Sequence, residues 1–376
     1  MYNAYLQRTK ETITALNKHV HTSERFRTAV FDQTLKCARG VPCFDSELAS
    51  THTAPDRLEW RVIDHCAAVT RLYAIYEQFA HEMVREHLEL LQRRLPFQDL
   101  PESIRSSYRV GMAKVLDKKD GPRFADLDLG QLIEGYNRAL TGNEYALEAR
   151  AILMQEQNLR LPELHRFMSS CGVDGVAPWV ENHRAVRNFF AADDRLTASA
   201  ESQMAELIKY RNDAAHGSID ISDVLHVNVL TEFCDFIYTV CEALAERVQL
   251  VGLQTLKIHG HVTERGKVTE SMRSGTVAIG AMVGEFQVGT TVYLCGETYC
   301  LERNILSLQL EGMTQESVDL PVATELGMLL DAPGKRNAVL LAVEPLPTAS
   351  FNGGSVGIAS GPESDAAECT VDAQGI

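Results

Sequence analysis

Long apolar runs are missing from this chain of 376 residues: nothing approaches eighteen consecutive apolar positions, so the sequence offers no membrane-spanning helix. The polar start Met1-Tyr2-Asn3-Ala4-Tyr5-Leu6-Gln7-Arg8 lacks the basic-then-apolar pattern of a secretory signal. The expectation is a cytoplasmic protein with no membrane partner. Cysteine is sparse and scattered, nine in all, an odd number that fits a reducing compartment better than a disulfide framework. Cys37 and Cys43 have five residues between them and no second Cys or His pair nearby at zinc-finger spacing, so they read as incidental thiols. Cys234 and Cys241, seven apart, share one side of a helix and read as small core residues.

Two chemical motifs are absent as well. No Gly-x-x-x-x-Gly-Lys-Ser/Thr occurs, which excludes a P-loop, and Gly353, Gly354, Gly357 and Gly361 lack the Lys-Ser/Thr that would make them a phosphate cradle. His81 and His87 are six apart, not the four that puts two zinc ligands on one helix face. Neither a metal nor a cofactor is expected. Positive charge is also short. The net charge is −15, and residues 251–376 hold 7 basic and 15 acidic side chains, a net of −8 that leaves −7 for residues 1–250. Non-specific nucleic-acid binding rests on Lys and Arg displacing counterions. Neither part is therefore a general polyanion binder, and any polyanion must be held by a local groove, a few exact contacts or a partner.

What is present is an ordinary globular composition, 45% apolar and 23% charged, in a chain long enough for two domains. Apolar spacing predicts a first helix over 4–20, then an irregular stretch over 23–54 around Gly40 and Pro42. A long helix over 56–95 carries the seam Val62, Cys66, Val69, Tyr73, Tyr76, Phe79 and Met83, the stripe of a bundle helix. Tyr76 and Phe79 thus read as core. Pro96 and Pro101 interrupt it, and helices follow over 102–117, 129–141 and from Pro162. A further helix carries Val186 and Phe189. A last bundle helix spans about 222–250, with Ser218 and Ser222 as candidate caps.

The chain is organised around Leu207-Ile208-Lys209-Tyr210-Arg211-Asn212-Asp213-Ala214-Ala215-His216-Gly217. Upstream residues from Ala198 to Tyr210 contain no Pro or Gly, so a helix is expected, closed by Gly217 in a left-handed turn. Asn212 and His216, four apart, share a face. Arg211 and His216, five apart, are about 140° apart around an ideal helix. Either the helix loosens near Gly217, or a second copy of the motif completes the site across a two-fold axis.

Arg211-Asn212-x-x-x-His216 resembles the Arg-x4-6-His signature of the HEPN superfamily, whose members are mostly RNases of toxins, phage-defence proteins and CRISPR effectors. Tyr73-Ala74-Ile75-Tyr76-Glu77-Gln78-Phe79, Asn158-Leu159-Arg160 and the whole of Leu207 to Gly217 are similar to its RiboL-PSP branch, over about 57–249. The resemblance implies an all-α bundle acting as a homodimer and a metal-independent endoribonuclease. Its catalytic residues would be Arg211, Asn212 and His216, with Arg160 and Lys209 as RNA contacts. An imidazole can give or take protons near neutral pH, and a guanidinium can grip two phosphate oxygens. Three other readings stand beside it. Arg211 could form a structural ion pair while His216 satisfies a helix end. Arg160 could bond a loop. The bundle could be a non-catalytic scaffold.

Beyond Thr255 the Val, Ile, Thr and Gly content rises and short alternating runs replace helical spacing. Strands are expected over 256–263, 276–282, 291–295, 304–310, 325–331 and 338–343, which predicts a small barrel. Their order resembles the second domain of elongation-factor-Tu-like translation GTPases. That likeness implies a binding module of the kind that touches tRNA, ribosomal RNA or neighbouring domains. A HEPN RNase needs restraint or a trigger, so the barrel is where translation machinery, a phage-derived protein or an antitoxin is expected to act. The expected fold is therefore multi-domain, α then β: an extension over 1–56, a HEPN bundle over 57–250, a barrel over 254–346 and a flexible acidic tail over 347–376.

Overall fold

The longest predicted helix forms for reasons visible at its first residue. Asp56 accepts hydrogen bonds from the amides of Leu58 and Glu59, each at 2.8 Å, while the Glu59 carboxylate accepts the Asp56 amide at 3.3 Å, a reciprocal capping box. From there α2 (Arg57–Gln92) runs with Val69, Tyr73, Tyr76, Phe79 and Met83 buried. It follows α1 (Tyr2–Phe31) and precedes α3 (Glu102–Asp117), α4 (Leu129–Leu140), α5 (Ala149–Ile152), α6 (Leu161–Ser170), α7 (Val176–Asn182), α8 (Arg184–Ala192), α9 (Ala200–His216) and α10 (Val227–Ile258). The computed structural model describes residues 2–32, 55–154, 157–192, 199–217 and 224–345. Helix α2 packs against α1, α9 and α10, and one continuous apolar core fills the space between them.

Three helix boundaries differ from the sequence expectation. The first helix does not stop near Val20 but continues to Phe31. Its polar second half is satisfied across the bundle, where the buried Arg27 and Ser23 both bond the Asp64 carboxylate, at 2.8 and 2.7 Å. Helix α10 begins at Val227, and Ser218 and Ser222 lie outside the described residues. It also overruns its expected end by two turns, because Leu253 and Leu256 are buried beneath the strands that follow. The first strand accordingly starts at Val262 rather than at Leu256, and runs on to Met272.

The remaining elements are β1 (Val262–Met272), β2 (Val277–Gln287), β3 (Thr291–Gly296), β4 (Tyr299–Leu310), β5 (Met313–Gln315), β6 (Ser317–Leu330) and β7 (Val339–Val343). All pairings are antiparallel, in the order β3-β7-β1-β2-β6-β4-β5, and β3 pairs with β4 to close a six-stranded barrel. Val268, Met282, Phe286, Leu294, Ile305, Leu326, Met328 and Leu340 fill its interior. Closure needs a tight bend in β1: at Gly266 (φ 138°) the register shifts, and a Cβ there would lie 2.2 Å from the Ala281 carbonyl oxygen. The helices and the barrel make one compact unit up to Glu344; the expected tail from 347 onward lies outside the described residues.

Candidate functional site

Helix α9 is anchored at its start twice over. Ser199 caps it, its hydroxyl accepting the Ser202 amide at 3.1 Å, and the Glu181 carboxylate of α7 accepts the amides of Ala200 and Glu201, each at 3.0 Å. These groups satisfy the orphan donors of a first turn, where a negative charge is favoured. Met204, Leu207 and Ile208 then bury one face. Tyr210 sits edge-on between His65 and Phe233, with centroids at 5.7 and 6.1 Å.

The three stretches singled out in the sequence, those of Tyr73, Asn158 and Arg211, meet at the next turn. The Arg211 guanidinium lies over the Tyr73 ring, 5.0 Å from its centroid, and its Nη1 donates to Asn212 Oδ1 at 3.1 Å. Asn158 Nδ2 donates to the same oxygen at 3.0 Å. Leu159 is fixed at both ends of its backbone: its amide donates to the Tyr73 hydroxyl at 2.9 Å, and its carbonyl accepts the Tyr76 hydroxyl at 3.0 Å. Burial pushes the Tyr73 phenol up to about 12. It therefore stays protonated at neutral pH, donates to Glu77 Oε1 at 3.2 Å, and works as a platform rather than a base.

Among the described residues the side-chain partners of Arg211 are Tyr73 and Asn212, and no carboxylate pairs with it. Its Nε is shielded and lacks a hydrogen-bond partner. His216 is exposed at the end of α9, which closes on Gly217 (φ 68°) with the Gly217 amide bonding the Asp213 carbonyl. The helix is thus regular through the whole of Arg211 to His216. It does not loosen in between to aim both side chains at one atom. Lys209 and Arg160 are both exposed. Arg160 stands at the N-cap of α6 without capping it through its side chain, and no loop hydrogen bond from its guanidinium is found among the described residues.

A model of the family described as RiboL-PSP-HEPN matches residues 45–249, more than half of the chain. The chain belongs to that family. No curated protein matches it. Among solved structures, the C-terminal domain of a Geobacillus thermoleovorans protein described as a U32 peptidase is 17% identical, with a TM-score of 0.20, covering 22% of this chain and 92% of that one. Its selenomethionine variant gives 16% and 0.19, with 21% and 96% covered.

Two residues of this RiboL-PSP-HEPN bundle that sequence reasoning passed over support the segment following the motif. Arg61 Nη2 donates to the Val224 carbonyl at 3.0 Å, and His65 Nδ1 accepts the Leu225 amide at 3.3 Å. Burial, then the neighbouring Arg61 charge, lowers the His65 pKa and keeps the ring neutral. Their spacing of four on α2 was the available signal. Only one group among the described residues, His183, Glu242 and Glu246, has donors close enough together to hold a metal ion. Its negative charge is already met by Arg184, whose Nη1 bonds Glu246 at 2.7 Å and whose Nη2 bonds Glu242 at 2.8 Å. Burial alone would raise the Glu246 pKa, but the hydrogen bonds from Arg184 and His183 outweigh it and hold the carboxyl below its usual range.

Proposed function

We propose that the chain is an endoribonuclease that cleaves RNA without a metal, at a site composed by two copies. The observation that carries this reading is an arginine with no acidic partner among the described residues, held over Tyr73 and beside the Asn158–Asn212 bridge, on a helix that ends in an exposed histidine. A guanidinium so oriented can neutralise the charge that builds on a phosphorane. An imidazole can remove the proton of a 2′-hydroxyl or protonate the leaving 5′-oxygen. Cleavage by this route leaves 2′,3′-cyclic phosphate and 5′-hydroxyl ends. Asn212 orients the Arg211 fork, while Lys209 and Arg160 offer exposed cations to the flanking phosphates.

Helix geometry supports the composite site. Arg211 and His216 lie five positions apart on unbroken α9, about 7.5 Å along the axis and about 140° around it. A two-fold axis beside α9 would set the Arg211 of one copy against the His216 of the other. The barrel's part in this reading is delivery or restraint, through translation machinery, phage-derived protein or an antitoxin. With a net charge of −15, RNA would be held locally and not by a general field.

The test is incubation of the purified protein with total tRNA and a messenger RNA in EDTA, with cut ends mapped. Arg211→Ala and His216→Ala should each lose at least about a hundredfold in rate. Co-expressing the two inactive chains should restore about a quarter of the activity, because each mixed dimer rebuilds one working site. No recovery would overturn the composite site, and no cleavage by the unmodified chain would favour a binding scaffold. One observation leans toward the scaffold: Asn212 and Tyr73 already engage Arg211 within the fold.

A further inference from the structure

The tip of the β3–β4 hairpin holds two thiols that no step above uses. Cys295 and Cys300 face each other in register, one pair inside the Gly296–Tyr299 pair that closes the two-residue turn Glu297-Thr298. Facing pairs of an antiparallel ladder alternate between hydrogen-bonded and non-hydrogen-bonded. The Cys300 amide points away from β3 and donates to Glu246 Oε2 of α10 at 3.0 Å, so the cysteines occupy a non-hydrogen-bonded pair. There the Cα atoms approach to about 4.5 Å, within the range that a disulfide spans. The sulfur atoms are 3.2 Å apart. Both side chains are buried, with exposures of 6% and 1%. They belong to the core shared with the helices rather than to the barrel's own interior. Among the described residues no other two thiols are in contact.

We propose that Cys295 and Cys300 are a reversible dithiol–disulfide site that staples the β3–β4 hairpin where it meets the helices. The oxidant is a low-molecular-weight disulfide. One cysteine, as its thiolate, attacks the oxidant's S–S bond and forms a mixed disulfide, releasing one small thiol. The second cysteine then attacks the protein-bound sulfur of that mixed disulfide and expels the other small thiol. The protein gives up two electrons and two protons, and the oxidant's sulfurs leave carrying them as two thiols. Burial, the neighbouring Cys295 thiol and the carboxylates of Glu246 and Glu302 push the Cys300 thiol well up, which slows attack while the hairpin is closed. The exposed turn Glu297-Thr298 is where opening begins. Closing the bond fixes the strand end whose amide engages Glu246, so the staple acts on the seam between the barrel and the bundle.

This inference is independent of the ribonuclease reading. The full chain is refolded from denaturant in oxidised or in reduced glutathione, so that both thiols pass through an accessible state. It is then quenched in acid, alkylated, digested and analysed by mass spectrometry; native protein held for days in the same buffers provides a second route. The oxidised sample should contain one Cys295–Cys300 link, about 2 Da lighter than the dithiol and reversed by reduction, with Cys171, Cys234 and Cys241 still alkylated. In Cys300→Ala that link disappears and Cys295 carries glutathione or the alkyl group. Full alkylation of both cysteines after refolding in oxidised glutathione, or linkage of either to a different cysteine, would overturn the proposal.

Discussion

Arg211 and Arg184 are both partly sheltered arginines on helices of the same bundle, and they are held by opposite means. Arg184 is clamped between the carboxylates of Glu242 and Glu246, beside His183, and the Cys300 amide of the barrel completes the shell of Glu246. Its charge is neutralised where it stands. Arg211 rests on a phenol ring and an amide oxygen, partners that fix its orientation while, among the described residues, no carboxylate compensates its charge. A neutralised guanidinium stabilises a junction; an oriented, uncompensated one is ready for an anion from outside. His87 marks a further extreme, fully buried with neither ring nitrogen hydrogen-bonded.

The sharpest way to break the comparison is Arg184→Ala. It would strand the Glu246 carboxylate, which is 10% exposed, between the bundle and the barrel. Removing one partner of a buried pair costs about 3–5 kcal/mol. Chemical denaturation of this variant should show a loss of that order, whereas a loss below about 1 kcal/mol would mean that water already screens the pair. Acid should act in the same direction. Because the folded-state pKa of Glu246 is depressed, its contribution is present above the ordinary carboxylate range and is lost as pH falls through the folded value.

His87 tests the unpartnered extreme. Burial draws its pKa down to about 4, against about 6.5 in an unfolded chain. The unfolded state therefore binds the proton first, and stability that is whole above about pH 6.5 falls by about 3 kcal/mol as pH drops to about 4. The measurement is the stability difference between the unmodified chain and His87→Leu at several pH values, which isolates this group from the neighbouring Glu86. A difference that does not vary between pH 4 and 7 would show that the ring is hydrated.

The elements on which the comparison rests were unequally legible in the sequence. The seam of α2 and the bounds of α3 follow from apolar spacing and from Pro101; the structure shows the bounds of α3 and buries the seam from Val69 onward, with Val62 and Cys66 half-buried. The motif, Tyr73 and Asn158 were visible as stretches; that Tyr73 would carry Arg211 was not, because a tyrosine in a core stripe looks the same whichever side chain lies on its ring. The polar half of α1 escaped notice since its hydrogen-bond partner, Asp64, lies on another helix. Strand β1 was hidden for the opposite reason: it buries little beyond Val262 and Val268 along eleven residues, too few for an alternating pattern. The Arg184 clamp draws on residues about sixty positions apart with no local signature. Local pattern reports what a segment does for itself, whereas the charged seam exists only after two segments have met.

Arg211→Ala should have the smallest effect on stability and thereby sharpen the contrast most. Its removal deletes one cation–π contact, worth about 0.5–1 kcal/mol when partly exposed, and one neutral-acceptor hydrogen bond to Asn212, while relieving the cost of the unpartnered Nε. The net change in denaturation midpoint should correspond to about 1 kcal/mol or less, several-fold below that of Arg184→Ala. Arg211→Lys separates charge from orientation: it keeps the cation but not the planar fork that lies on Tyr73 and reaches Asn212. A lysine variant that folds as well as the unmodified chain yet cleaves RNA as poorly as Arg211→Ala would assign the function of this position to the fork. Cleavage retained by lysine would mean that a positive charge at the end of α9 is sufficient, and the Tyr73 platform would then be packing alone.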